Sequence, residues 1–203
     1  MSKTVVFIQG SPRENGNTRA LAALVMETLA QSGVASAEID ATRLQCSHPG
    51  CIACGRCQEG PEFRCHVDDG LARAVATLPD YDAVVLSTPV FWLGPTAQAK
   101  MCVDRMASLV KCSDAGALAT PLRGKILGLF ATGATERDEN LDILERQYRV
   151  MAEYLGMPFV SALFPFCGVP AGQAAADPEF ATVARDFGVR LAGMLGGRKC
   201  CDP

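Results

Sequence analysis

Short apolar runs alternate with amphipathic segments along most of this 203-residue chain, and this alternation limits the possible folds more than any other feature. The runs expected to be strands are Lys3–Gln9, Val34–Asp40, Asp82–Thr88, Lys125–Ala131 and Pro158–Phe164. Helical spacing of apolar residues predicts a helix through Leu21 and Leu29 that ends at Gly33, and further helices at Asp69–Leu78, Thr96–Val110, Asp138–Leu155 and Pro178–Leu195. Strands that alternate with helices form parallel sheets covered on both faces. We therefore predict an α/β fold with a doubly wound, five-stranded parallel sheet, in one domain that spans residues 1–203.

Composition narrows the class of protein further. The net charge of −3 gives no reason to expect a nucleic-acid partner. The chain has no apolar run of the roughly 20 residues that cross a bilayer, and its first residues do not resemble a signal peptide. We expect a cytoplasmic protein without a membrane partner. Five of the ten cysteines lie between Cys46 and Cys65, which in such a protein favours metal binding or redox chemistry over disulfides.

The loop between the first strand and the first helix has the composition of an anion-binding site. Its sequence, GSPRENGNT, runs from Gly10 to Thr18. Hydroxyl, amide and guanidinium groups can bind phosphate there, the glycines allow close approach of the backbone, and the helix N-terminus adds its positive dipole end. The candidate donors are Ser11, Arg13, Asn15, Asn17 and Thr18. Neither a P-loop nor the G-x-G-x-x-G dinucleotide motif matches this spacing, and the alternative is a polar connecting loop with a helix cap.

The phosphate loop, the segment STPVFWLGPTAQAKMCVDR (Ser87–Arg105) and the ATG at Ala131–Gly133 resemble the flavodoxin-like NADPH-dependent FMN reductases, including the iron–sulfur flavoproteins. The resemblance implies a flavodoxin-like sheet of order 2-1-3-4-5 that binds FMN, with the phosphate on the first loop. It also implies that the loops after strands three and four hold the isoalloxazine ring, through Pro89, Val90, Phe91, Trp92, Thr132, Gly133 and Ala134. Many relatives carry two glycines after strand four, where this chain has Gly133-Ala134.

A cysteine-rich loop, about 42–68, follows the second strand and interrupts the regular alternation. Cys51, Cys54, Cys57 and Cys65 form the pattern C-x2-C-x2-C-x7-C, which resembles the run that ligates iron–sulfur clusters in ferredoxins. Four thiolates also suit a structural zinc site, and thiols without metal are a third possibility. The resemblance to iron–sulfur flavoproteins implies a [4Fe–4S] cluster on these four cysteines. We expect Cys46 and His48 to be bystanders.

The other cysteines are expected to be inert. We place Cys102 and Cys112 on or beside the third helix, Cys167 after the fifth strand and Cys200-Cys201 in an exposed tail. Asp104 and Arg105 are expected to support structure or an interface.

Three functions remain open. The first is an iron–sulfur flavoprotein that transfers electrons between a ferredoxin-like protein and a small acceptor, with the cluster on the flavin edge of the sheet. The second is an NAD(P)H-dependent FMN or quinone reductase whose cysteine loop is structural. The third is a flavin electron carrier that is not an enzyme. The resemblance also implies a homodimer or homotetramer.

Overall fold

The computed structural model describes residues 2–113 and 116–197. Its centre is a five-stranded parallel sheet whose strands are β1 (Thr4–Gln9), β2 (Ala35–Asp40), β3 (Ala83–Pro89), β6 (Ile126–Thr132) and β7 (Phe159–Phe164). The order across the sheet is β2-β1-β3-β6-β7. This is the 2-1-3-4-5 order when only the strands of the large sheet are counted, so the predicted flavodoxin-like α/β fold is confirmed. The two remaining strands, β4 (Lys111–Cys112) and β5 (Leu118–Ala119), form a small antiparallel pair outside the sheet, which was not predicted.

Helices cover both faces of the sheet, and their bounds are α1 (Asn17–Gln31), α2 (Gly70–Ala76), α3 (Ala97–Arg105), α4 (Asp142–Leu155) and α5 (Pro178–Gly196). One buried cluster joins the sheet to α2, α3 and α4, and a second joins it to α1 and α5. Alternate residues of β1 point to opposite faces, so Val6 belongs to the first cluster and Phe7 to the second. Burial on both faces explains why the central strands are continuous apolar runs.

Three predicted helices are shorter than their sequence periodicity indicated. The third ends as an α-helix at Arg105 and continues as a 3-10 turn, Met106–Leu109. The fourth begins with a π-helical turn, Arg137–Leu141. The second stops at Ala76 before a 3-10 turn that contains Pro79, since proline cannot donate the next helical hydrogen bond.

The end of α1 follows the prediction. Gly33 has a φ of 72°, and the amide of Val34 donates to the carbonyl of Leu29, which closes the last turn. Cys112 lies in β4 rather than beside the third helix. Cys200 and Cys201 lie outside the described residues. Within the described part of the chain, each helix is too short or too polar to cross a membrane.

Candidate functional site

The phosphate loop is fastened to the sheet and to α3 at its first residue. The amide of Gly10 donates to the carbonyl of Ser87 at 2.7 Å, and the Gly10 carbonyl accepts from Thr96 Oγ1 at 2.7 Å. A Cβ at this position would lie 2.6 Å from the Cβ of Ala99. The close approach of the loop to α3 therefore requires glycine at residue 10.

The loop then folds back on itself around Ser11. Ser11 Oγ lies 3.4 Å from the amide of Arg13, which donates to it, and Gly16 donates to the Arg13 carbonyl at 3.0 Å. A Cβ on Gly16 would lie 2.8 Å from Ser11 Oγ. The turn therefore holds the Ser11 hydroxyl, which is 3% exposed, directly beside the start of α1.

The N-terminus of α1 has the properties of an anion site. Among the described residues, no side chain caps the helix at Gly16, and its first turn contains no acidic residue. The first amides of a helix lack intrahelical acceptors, and together with the helix dipole they favour a bound anion. Arg13 lines the same cleft and brings a positive charge. These features fit the phosphate group of FMN.

Asn17 and Thr18 make long-range contacts across the cleft. The Asn17 side-chain amide donates to the carbonyl of Val169 at 2.8 Å, and its oxygen accepts from the amide of Ala174 at 3.3 Å. The hydroxyls of Thr18 and Thr132 lie 2.7 Å apart and are buried. Asn17 thus ties the loop after β7 to the phosphate loop, and Thr18 ties α1 to the end of β6.

A second clamp holds the phosphate loop from the side of β2. Arg19 Nη2 donates to the Ser11 carbonyl at 3.3 Å and to Asp40 Oδ1 at 2.8 Å. Burial by itself raises the pKa of Asp40, but hydrogen bonds from Thr42 and Arg19 outweigh it, so the pKa lies below its ordinary value. The ionised Asp40 therefore orients Arg19, which the sequence had not indicated as part of the site.

The loop after β3 forms a tight, exposed aromatic turn. Phe91 and Gly94 exchange backbone hydrogen bonds at 2.9 and 3.1 Å, and the two residues between them have positive φ, 47° at Trp92 and 63° at Leu93. This is the backbone of a two-residue hairpin turn, which usually contains Asn and Gly. Trp92 is fully solvent-exposed, whereas Phe91 is half exposed and faces the cleft.

Seven of the twelve residues predicted to bind the flavin share one cleft at the carboxyl edge of the sheet. The residues that line it are Ser11, Pro12, Arg13, Gly16, Asn17, Thr18, Pro89, Phe91, Thr132 and Cys167. Five predicted residues do not line it: Asn15, Val90, Trp92, Gly133 and Ala134. Cys167, which had been treated as inert, is added by the fold, and burial raises its pKa to about 11, so it is a neutral thiol at neutral pH.

The cysteine loop turns sharply around its first three cysteines. Gly50, Ala53 and Gly55 all have positive φ, between 54° and 72°, within six residues. These left-handed residues turn the backbone sharply, so cysteines three residues apart can line one cavity. Cys51, Cys54, Cys57 and Cys65 line a single small cavity together with Arg105, Ser108, His66, Val67, Ile52 and Gly55. Cys46 and His48 do not line it.

Three of the four sulfurs in this cavity accept hydrogen bonds. The amide of Ala53 donates to Cys51 Sγ at 3.4 Å, the side-chain amide of Gln58 donates to Cys57 Sγ at 3.5 Å, and Arg105 Nη1 donates to Cys65 Sγ at 3.5 Å. N–H donors to sulfur are typical of iron–sulfur ligation. Within residues 2–113 and 116–197, no three His, Cys, Asp or Glu side chains are arranged to hold one metal ion. Four thiols on one cavity suit either an iron–sulfur cluster or zinc, since the ligand type does not separate the two.

The segment after α3 is hydrogen-bonded to the cysteine loop. Lys111 Nζ donates to the carbonyl of Cys57 at 2.7 Å and to that of Gly60, and it lies 5.5 Å from the centre of the Phe63 ring. Gln58 donates to the Val110 carbonyl at 2.8 Å. The β4–β5 pair, which the sequence pattern did not predict, thus begins at Lys111, the residue that anchors the loop.

Helix α3 connects the two sites at its opposite ends. Thr96, its N-cap, holds the phosphate loop, and Arg105, its last residue, lies in the cysteine cavity. Nine helical residues span about 13 Å. Among the described residues, none lines both the cleft and the cysteine cavity. The cysteine cavity therefore lies at the C-terminal end of α3, whereas the phosphate loop is held at its N-terminal end.

Comparisons with known proteins identify the family of this chain. The family model for NADPH-dependent FMN reductase matches residues 3–168. An iron–sulfur flavoprotein of Methanocaldococcus jannaschii is 30% identical over 131 residues, 64% of this chain and 62% of that protein. A second iron–sulfur flavoprotein, of Archaeoglobus fulgidus, is 32% identical over 101 residues, 50% of this chain and 44% of that protein. The matches thus span less than two thirds of either relative.

A solved structure gives the same fold over nearly the whole chain. The NAD(P)H:quinone oxidoreductase of Methanothermobacter marburgensis superposes with a TM-score of 0.71 at 15% identity, covering 95% of this chain and 98% of that one. At this identity the likeness concerns the fold alone. The family match covers most of the chain, and the chain therefore belongs to the NADPH-dependent FMN reductase family.

Proposed function

We propose that this protein is a flavin-dependent oxidoreductase that binds FMN in the cleft and a [4Fe–4S] cluster on Cys51, Cys54, Cys57 and Cys65. In this proposal it transfers electrons between a ferredoxin-like donor and a small acceptor. The observation that carries the proposal is the cysteine cavity, which all four thiols line and in which three of their sulfurs accept N–H hydrogen bonds. The family match supports the flavin.

Different residues of the cleft would bind the phosphate and the ring of FMN. The amides at the start of α1, with Ser11 and Arg13, would bind the phosphate. Phe91 and Pro89 offer apolar surface on which a flat ring packs. Asn17 would act through its backbone amide, because its side chain is already bonded to the loop after β7. Asn15, Val90, Trp92, Gly133 and Ala134 remain proposed ring or phosphate contacts that ligand binding would have to bring in.

A cluster is favoured over zinc by the spacing of the cysteines. Cys51, Cys54 and Cys57 form a C-x2-C-x2-C run that resembles the one that ligates iron–sulfur clusters in ferredoxins, and both matched relatives are named iron–sulfur flavoproteins. None of the eight described cysteines forms a disulfide. We propose a cytoplasmic location, because cysteines clustered for metal binding or redox chemistry are typical of reducing compartments.

The two bound groups would supply different electron chemistry, one-electron transfer at the cluster and two-electron transfer at FMN. The protein orients them through α3, whose ends hold the phosphate loop and the cysteine loop. Cys167 and the Thr18–Thr132 hydroxyl pair line the cleft without a charge, so they would add no anion to compete with the phosphate.

A second candidate is NAD(P)H-dependent reduction of FMN or a quinone, which the description of the matching family favours. In that case NAD(P)H replaces the ferredoxin-like donor, and the cysteine loop is structural. We propose a homodimer or homotetramer for either function, because Phe91, Trp92, Leu93 and Phe166 leave an apolar rim exposed around the cleft.

The composition of the purified protein tests the first candidate. The protein is purified anaerobically, and iron, acid-labile sulfide, zinc and flavin are measured per chain. We expect four iron atoms and four sulfides for each FMN. Zinc, or flavin with no metal, would reject the cluster, and a colourless protein that does not bind added FMN would reject both candidates.

The electron donor is tested by flavin bleaching under anaerobic conditions. The protein is mixed in parallel with NADPH and with a reduced ferredoxin, and the flavin absorbance is followed. The first candidate predicts faster bleaching by ferredoxin. Faster bleaching by NADPH favours the second. Bleaching without steady-state reduction of a soluble acceptor would indicate an electron carrier.

A further inference from the structure

Arg105 is the centre of the contacts that hold the cysteine loop. It is 1% exposed at the end of α3. Its Nε donates to the Gly50 carbonyl at 2.8 Å and its Nη2 to the His48 carbonyl at 2.9 Å. Its Nη1 donates to Cys65 Sγ at 3.5 Å, and both terminal nitrogens reach the carboxylate of Asp69, at 3.2 and 3.4 Å. The planar guanidinium fork is matched to several acceptors at once, which a lysine cannot reproduce.

The carboxylate of Asp69 also accepts hydrogen bonds from residues other than Arg105. It caps α2 by accepting from the amide of Ala72 at 2.8 Å, and it accepts from the amide and hydroxyl of Ser47 at 3.0 and 3.1 Å. Burial by itself raises the pKa of Asp69, but these hydrogen bonds and the Arg105 charge outweigh it, so the pKa lies below its ordinary value. Asp69 is therefore an anion that partly offsets the charge of Arg105.

This ion pair is costly to bury unless it has a specific use. Both partners are almost fully buried, and such pairs stabilise a fold little compared with apolar residues of the same size. Among the residues that line the cysteine cavity, Arg105 alone carries a permanent charge. That charge points at the sulfur of one of the four proposed ligands.

We propose that Arg105 is a positioning residue for the cysteine loop and that the Arg105–Asp69 pair sets the reduction potential of the group bound by Cys65. This inference rests on the proposed cluster. A cation that donates to a ligating sulfur stabilises the reduced, more negative state and raises the potential, since hydrogen bonds to sulfur and local charge are main determinants of cluster potential. Asp69 opposes this effect.

The two partners therefore predict shifts of opposite sign. Asp69→Asn removes the opposing negative charge and keeps a side chain that can cap α2, so the midpoint potential should rise. Arg105→Lys removes the guanidinium fork and its hydrogen bond to Cys65, so the potential should fall. The measurement is an anaerobic potentiometric titration followed by electron paramagnetic resonance, after iron and sulfide have been counted for each variant.

The exposed pair Arg73–Asp68 provides a matched control on the same side of the cysteine loop. Its side chains are 67% and 86% exposed. Arg73→Lys and Asp68→Asn make the same changes in water, and we expect no shift in potential from either, because solvent screens exposed charges.

Each outcome decides the inference. Shifts of opposite sign in the buried pair, with none in the exposed pair, support it. Unchanged potentials, or shifts of one sign, with full iron content overturn it and leave the proposed function intact. If Arg105→Lys does not retain iron, the positioning role is supported and Asp69→Asn decides the tuning role. Loss of iron from Asp69→Asn as well overturns tuning, and a wild-type protein without iron and sulfide overturns both this inference and the proposed cluster.

Discussion

At the scale of single residues, several polar side chains in the cleft form hydrogen bonds between loops and are therefore not free to bind a ligand. Asn17 is the clearest case, because all of its side-chain hydrogen bonds go to the loop after β7. Ser11 is different: its hydroxyl bonds only within its own turn and borders the N-terminus of α1. The neutral lining of the cleft beside Arg13 suits an anion.

A negative charge at residue 11 should therefore weaken flavin binding. Ser11→Asp would place a carboxylate where the phosphate is proposed to lie, and we expect FMN to bind at least about tenfold more weakly, a loss of about 1.4 kcal/mol. Ser11→Ala should cost less, because it removes a hydroxyl without adding charge. The measurement is flavin fluorescence quenching on titration with FMN.

The control adds the same charge far from the cleft. Ser36 is exposed on the edge strand β2, so Ser36→Asp should leave FMN affinity unchanged. Equal affinities for Ser11→Asp and wild type would contradict the assignment of the phosphate loop.

Asp82 makes stability depend on pH in the acidic range. It accepts from the amide of Thr4 at 3.0 Å and from Lys3 Nζ at 2.9 Å, which ties the start of β1 to β3. Burial raises its pKa, but these hydrogen bonds outweigh burial and hold the pKa below its ordinary value. Its contribution to stability is therefore complete above the unfolded-state pKa of about 3.9 and is lost as the pH falls through the lower folded value.

We expect Asp82→Asn to lower the free energy of unfolding at pH 7 and to flatten its decline below pH 4. Urea denaturation between pH 7 and pH 2.5 measures both effects. Asp80→Asn, at an exposed position two residues earlier, is the control and should behave as wild type. An equally steep acid decline in Asp82→Asn would show that other carboxylates are responsible.

At the scale of elements, α3 is the part of the fold on which both sites depend. Its N-cap residue Thr96 bonds to Gly10, and its last residue Arg105 bonds to the cysteine loop. The aromatic turn that precedes it, with Trp92 and Leu93 at positive φ, is the described segment where non-glycine residues adopt this conformation consecutively. Left-handed backbone costs a side-chain-bearing residue about 1–2 kcal/mol.

Relief of this strain should stabilise the protein. Leu93→Gly is expected to raise the free energy of unfolding by about 1 kcal/mol, since Leu93 is half exposed and loses few contacts. The converse control is Gly33→Ala, where an added Cβ meets no atom within 4 Å and only backbone strain acts. We expect this variant to lose about 1 kcal/mol of unfolding free energy. Urea denaturation measures both, and a destabilised Leu93→Gly would mean that its side chain packs usefully.

At the scale of the whole molecule, the cleft and the cysteine cavity lie at opposite ends of one helix. Within the described residues they share no lining residue. Loss of one of the two proposed groups should therefore leave the other in place.

Removal of one proposed cluster ligand tests this separation. Cys54→Ser should reduce iron and sulfide per chain to a small fraction of wild type and leave FMN per chain unchanged, because Cys54 lies in the cysteine cavity alone. Cys112→Ser, at an exposed cysteine in β4 that does not line the cavity, should change neither. Metal and flavin analysis of the three proteins measures the result. Joint loss of FMN and iron in Cys54→Ser would mean that the sites are structurally coupled.

Local pattern was enough to predict the architecture. Strands such as Lys3–Gln9 are recognisable because burial on both faces demands a continuous apolar run. Seven of the predicted cleft residues meet because the carboxyl ends of parallel strands share one edge of the sheet. The ends of helices were predicted less well, because a 3-10 turn after Arg105 and a π turn at Arg137–Leu141 depend on packing rather than periodicity.

By itself, then, the sequence determined the order of strands and helices, the position of the phosphate loop and the set of clustered cysteines, since each follows from neighbours along the chain. Only the tertiary structure decided that Asn17 bonds to carbonyls about 150 residues away, that Arg105 is buried against Cys65, and that the cysteines lie beside α3. The physical reason is that hydrogen-bond partners and burial depend on which distant segments pack together. Residue spacing along the chain carries no record of that packing.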